Sequence, residues 1–219
     1  MLTPTSTSYT VSTLAGSATG ASGYTNASGS AARFKQPTGI AFDADGNLLV
    51  ADNLNCALRK VTLAGTVTTA LGGDCLAAPT PYYLKGLAVG GDGIYTSDPS
   101  NNRIKLNVLS PASSTALTAI TSSGFLDGTT DVAKFNAPYG LALDATGNVV
   151  VADTSNHRIR KIVLGSTKLV STLADGATAG LVDGGGDVAR FDTPRGVAIA
   201  PDGTIYVADS GNKAIRRLK

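Results

Sequence analysis

Apolar residues in this chain come in short runs, LLVAD, IYTSD, VVVAD and IYVAD, each closed by an Asp. Ahead of them stand shorter runs that alternate small and large side chains. Gly39 and Ala41 alternate with Ile40 and Phe42, and Gly140 and Ala142 with Leu141 and Leu143. DG- or TG-type turns between the paired runs suit a tight hairpin. A turn through Asp-x-x-Asn then leads to a third run, typified by RIRKI, and a Val/Thr-rich run such as VSTLA follows. The pattern predicts four strands per unit, a to d.

The unit recurs. Its a-to-c phrase begins at Gly39, Gly86, Gly140 and Gly196, and the aligned carboxylates are Asp52, Asp98, Asp153 and Asp209. Asn55, Asn101, Asn156 and Asn212 each follow three residues later. The d phrase begins at Thr10, Thr66, Thr115 and Leu169, which sets repeat units of roughly 10–65, 66–114, 115–168 and 169–219 within one domain. Repeats of this length with four strands each predict an all-β protein, a β-propeller whose radial sheets bury both faces against their neighbours. The chain opens on an orphan strand d at Thr10–Ala15 and ends on strands a, b and c. Pairing of the orphan with the last blade would shut a ring of four. The alternatives are a fragment of a six-bladed ring, or an open array whose edges a partner finishes.

The third unit, FNAPYGLALDATGNVVVADTSNHRIRKI from Phe135, resembles the NHL repeat, and the first and fourth match well. The second departs from it, with Gly90 for the strand-a Asp, Ser97 for the Ala before Asp98, and no A-[RK]-F lead. The resemblance implies a propeller. It leaves function open, because this repeat serves enzymes, sensors, adhesion proteins and RNA binders.

Composition agrees with many strands and turns. All 16 acidic residues are Asp, Gln36 is the one glutamine, and Gly numbers 26 of 219 residues. Asp and Gly favour turns, whereas the missing Glu is a helix former. A net charge of +2 without a Lys/Arg run leaves no footprint for nucleic acid. No apolar stretch reaches the ~20 residues of a spanning helix, so membrane insertion is not expected. The polar TPTSTSYT after Met1 and Leu2 does not read as a leader.

In an antiparallel blade the b–c turns and d–a connections share one side. Three d–a loops there follow one plan, from Gly23, Gly124 and Gly180, with Phe34, Phe135 and Phe191 expected to plug the gaps between blades. Arg33, Lys134 and Arg190 precede them and are expected to pair with loop aspartates. Thr38, Lys85, Tyr139 and Arg195 stand just before each strand a. They differ among units while Pro37, Pro138 and Pro194 repeat, so individual function can be written there. Tyr82 and Tyr83, in the atypical loop from Gly72, add aromatic surface of the kind found at recognition sites.

Candidate chemistry is thin. Amidating lyases with this repeat need several His ligands to zinc, as the resemblance implies, and streptogramin-lyase-type chemistry uses a His base. This chain has only His157. Asp43–Asn47 reads as a hairpin turn rather than a calcium loop, since no Glu follows. Asp127, Asp131, Asp183 and Asp187 are better calcium candidates, but no cofactor is expected. The recurrent Asp and Asn residues read as turn architecture. Cys56 in a b–c turn and Cys75 in the next d–a loop lie on one face with 18 residues between them. A disulfide there would contribute roughly 3 kcal/mol and places the protein in an extracellular or periplasmic compartment.

The expectation is a non-catalytic sensor or adhesion type module. It recognises a protein, peptide or glycan on its loop-rich face, as a monomer or alternatively a homodimer. The second reading is a lyase or hydrolase on the same face, using Asp, Tyr139 and Arg195.

Overall fold

A computed structural model describes residues 11–72, 83–175 and 178–219. Four antiparallel sheets follow one another in a four-bladed β-propeller arrangement. The first blade is β1 (Pro37–Phe42), β2 (Leu48–Asp52), β3 (Ala57–Val61) and β4 (Val67–Gly72). The second is β5 (Leu87–Gly90), β6 (Gly93–Asp98), β7 (Arg103–Leu109) and β8 (Ala112–Ala116). A two-residue strand, β9 (Gly128–Thr129), precedes the third blade and lies on its outer edge. That blade comprises β10 (Pro138–Leu143), β11 (Val149–Asp153), β12 (Arg158–Val163) and β13 (Leu169–Asp175). The last holds β14 (Pro194–Ile199), β15 (Ile205–Asp209) and β16 (Ala214–Leu218).

The core lies between blades because strand residues point alternately to opposite faces. Val149 and Val151 of β11 pack with Ala88, Tyr95 and Ile104 of the second blade. Their neighbours Val150 and Ala152 pack with Val207 of the last blade. Leu49 and Leu58 of the first blade meet Leu87 and Ile94 of the second in the same way. Small residues at the start of strand a bring the blades together. A Cβ on Gly39, Gly86 or Gly140 would collide with the carbonyl of Lys85, Tyr139 or Arg195 in the next blade. Gly140→Ala is expected to cost about 1–3 kcal/mol through that overpacking, measured by denaturant unfolding.

The recurrent Asp-x-x-Asn turns are as expected. Asp52, Asp153 and Asp209 accept the backbone N–H groups of Lys35, Asn136 and Asp192 at 2.7–2.8 Å. Asn55, Asn156 and Asn212 bridge each Asp to the carbonyls of Gly23, Gly124 and Gly180 at 2.7–2.8 Å. The b–c turns and long d–a loops are thereby tied together on one face.

Three expectations are corrected. Residues 11–15 join no sheet among the described residues, so the last blade has three strands and the N-terminal strand does not close it. Ala15 packs on the first blade instead. The outer strand of the second blade, β8, begins three residues before the TALTAITS phrase and ends within it at Ala116, after which Leu117 and Thr118 bond Ile104. The loop cations do not take the loop aspartates either. Asp127 and Asp183 are held by Arg160 and Arg216 of the blades, while Arg33 donates to the Ser30 and Ala32 carbonyls.

Candidate functional site

Thr38, Lys85, Tyr139 and Arg195 come from four different blades and line one cavity of about 430 Å³ together with Gly86 and Gly140. Thr38, Tyr139 and Arg195 are delivered there by the same local device. The d–a loop ends on a left-handed residue, Gln36, Ala137 or Thr193, before the Pro of strand a in three of the four units. The side chain after that Pro then sits at the head of the innermost strand. Close approach of the strand-a glycines draws the four heads around one opening.

Two cations flank one aromatic ring there. The Lys85 ammonium and the Arg195 guanidinium lie 5.9 and 5.4 Å from the centroid of Tyr139. Among the described residues no carboxylate comes within salt-bridge distance of either. With the Asn53 amide turned to donate to the Leu84 carbonyl, its oxygen accepts from Lys85 Nζ at 2.8 Å. Burial, reinforced by the positive charge of Arg195, lowers the Lys85 pKa. Thr38 Oγ1 donates to the Leu84 carbonyl at 2.8 Å.

Ser97, where the other units have Ala, accepts from the Gly86 N–H at 2.8 Å and donates to the Tyr139 carbonyl at 2.5 Å. It ties the second blade's rim to the third's. Chemically, the opening presents two positive charges and a ring face, with no carboxylate paired to either cation among the described residues. Such a place suits an anionic group.

The other sequence candidates are distributed differently. Tyr83 is half-buried and lines no part of this cavity, while Tyr82 and Cys75 lie outside the described residues. Cys56 is buried at a left-handed turn position. His157 Nδ1 accepts the Thr193 N–H at 3.0 Å, a loop-linking role. Asp43 is engaged by Lys60 at 2.8 Å, which holds its pKa at about 2.

The charges that the sequence reading passed over are the arginines seven residues after the turn aspartates. Arg160 is fully buried and donates to Asp153, Asp127 and the carbonyls of Lys134 and Leu126. Arg59 and Arg216 repeat the arrangement with Asp52 and Asp209. Phe34, Phe135 and Phe191 lie 4.8–5.2 Å beneath these guanidinium groups. The fixed spacing from Asp to Arg in units one, three and four was the signal available.

Comparison with known proteins agrees with this architecture. Residues 34–60, 135–162 and 191–218 match the NHL repeat. NHL repeat-containing protein 2 from Bos taurus is 28% identical over 194 residues, 85% of this chain and 21% of its own length. An auxiliary nutrient binding protein from Bacteroides ovatus superposes with a TM-score of 0.70 at 16% identity, over 86% of this chain and 49% of that one. Virginiamycin B lyase from Staphylococcus aureus superposes with a TM-score of 0.58 at 17% identity, over 84% and 52%. The chain thus spans about a fifth of that relative and about half of either solved structure. The three matched repeats fall on the first, third and last of the four sheets, so the chain carries NHL repeats in a β-propeller arrangement.

Proposed function

We propose that this chain is a non-catalytic binding module that holds an anionic group of a protein, peptide or glycan ligand at the opening between the four strand-a heads. The observation that carries this reading is the pair of cations within 6 Å of the Tyr139 ring centroid, with no carboxylate paired to either among the described residues. Binding to arrays of acidic peptides and of uronate or sulfated glycans tests it. Recognition of one such class by the protein, lost in Lys85→Ala/Tyr139→Ala/Arg195→Ala, is the expected result. Unchanged binding in the triple variant would sink it.

An extracytoplasmic setting is part of the same proposal. Cys56 and Cys75 are the two cysteines of the chain, and a bridge between them would support that setting. The unreduced protein is expected to weigh two hydrogen atoms less than the reduced one, and equal masses would remove the bridge.

The enzyme reading keeps one supporting observation. A lysine with a lowered pKa beside a tyrosine and an arginine is a usable general base. Turnover of a bound ligand, abolished by Lys85→Ala with binding retained, would establish that reading over the binding module.

A further inference from the structure

The two ends of the row of blades expose positions that the inner blades bury. Ile40 of the first blade aligns with Leu141 of the third, yet they are 66% and 7% exposed. In the last blade, Ile215 aligns with Ile159 and Tyr206 with Val150. Their exposures are 74% against 0%, and 42% against 1%. Gly196, unlike the other three strand-a glycines, meets nothing but Ala208 of its own blade. Each end therefore presents one half of a blade–blade interface.

The sheet edges are complementary in the same sense. Among the described residues no strand pairs with the outer edge of β16, and residues 11–15, which repeat the outer-strand phrase, join no sheet. Their placement is specific. The Gly16 N–H donates to the Gly29 carbonyl at 3.1 Å, and its repeat equivalent, the Asp175 N–H, donates to the Gly186 carbonyl at 2.6 Å. Leu14–Gly16 thus meets the loop before the first blade as the end of β13 meets the loop before the last. It therefore sits where the end of an outer strand sits in a later unit, and the outer edge of β16 pairs with no strand among the described residues.

We infer that the last blade of one copy docks on the first blade of a second copy, head to tail, with the second copy's residues 11–15 completing the sheet along β16. The occupant is argued from the chain itself, since both halves of the interface are on it and the same packing already joins its blades. Unsatisfied edge strands recruit a further strand by the same backbone pairing. Such a heterologous contact propagates unless it closes into a ring. It uses blade faces and not the cation-lined opening, so its failure leaves the ligand proposal intact.

Light scattering on the 219-residue protein across a concentration series is the test. The mass is expected to rise above the monomer. Ile40→Asp and Ile215→Asp, both at exposed positions, are each expected to stay monomeric. Their equimolar mixture should regain a dimer and stop there, because one intact pair of faces remains. A wild-type monomer at every concentration would overturn the inference, as would association that both variants retain. Hydrogen-exchange protection of residues 11–15 in a monomer would also overturn it, by assigning that strand to its own last blade.

Discussion

Replacing Arg160 with leucine is expected to lower the unfolding free energy by about 3–5 kcal/mol, the range for breaking a buried ion pair by removing one partner. The guanidinium and the Asp153 carboxylate are both fully buried at 2.8 Å, so the carboxylate left behind would keep only the neutral donors Asn136 N–H and Asn156 and no counter-charge. The loss extends past that pair. Arg160 also holds the carbonyls of Lys134 and Leu126 and the Asp127 carboxylate, which fasten the long loop before the third blade. For a domain of this size the melting temperature should fall by about 10 °C. Adding Asp153→Asn to Arg160→Leu should recover part of the loss, because the stranded charge is gone. A fall below 1 kcal/mol in the single variant would show that the buried pair does not anchor the blade.

Removing both rim cations is the second large effect. Charge-assisted hydrogen bonds contribute about 1.5–3 kcal/mol each. Lys85→Ala with Arg195→Ala is therefore expected to weaken an anionic ligand by at least a hundredfold, measured by calorimetry. Stability should hardly change, since neither cation is ion-paired among the described residues. The pH dependence carries the sign of the lysine shift. Lys85 is charged below its lowered pKa, so affinity is full there and falls as pH rises through it, earlier than for an ordinary lysine. Arg195→Ala removes one cause of the lowering and should move that alkaline fall to higher pH. A fall at the same pH in that variant would mean that the two cations do not sense each other.

The strands were legible because one phrase recurs with its two-residue alternation intact. Val149 to Ala152 point to opposite blade interfaces in strict order. The rim was legible for the opposite reason, since Thr38, Lys85, Tyr139 and Arg195 are where the repeats disagree beside prolines that agree. Tyr83 reads in the sequence as aromatic surface of the atypical loop, but it is half-buried and lines no part of the opening. The arginines in RIRKI were hidden because a charged residue on a strand reads as solvated until its buried Asp partner is seen. The open ends were hidden too. Matching end strands show that closure is permitted by pattern, but whether Gly196 meets the first blade depends on the angle between blades, which no local motif encodes.

The central claim is that the opening between the blades holds an anionic group. Backbone amide shifts followed by nuclear magnetic resonance, with N-acetyl-aspartate, glucuronate and sulfate added in turn, test it most directly. The account predicts saturable shifts from at least one probe, concentrated at Thr38, Lys85, Gly86, Tyr139 and Arg195 and absent in Lys85→Ala/Arg195→Ala. Saturable shifts centred elsewhere on the blades, or no saturation at the rim with any of the three, would contradict it.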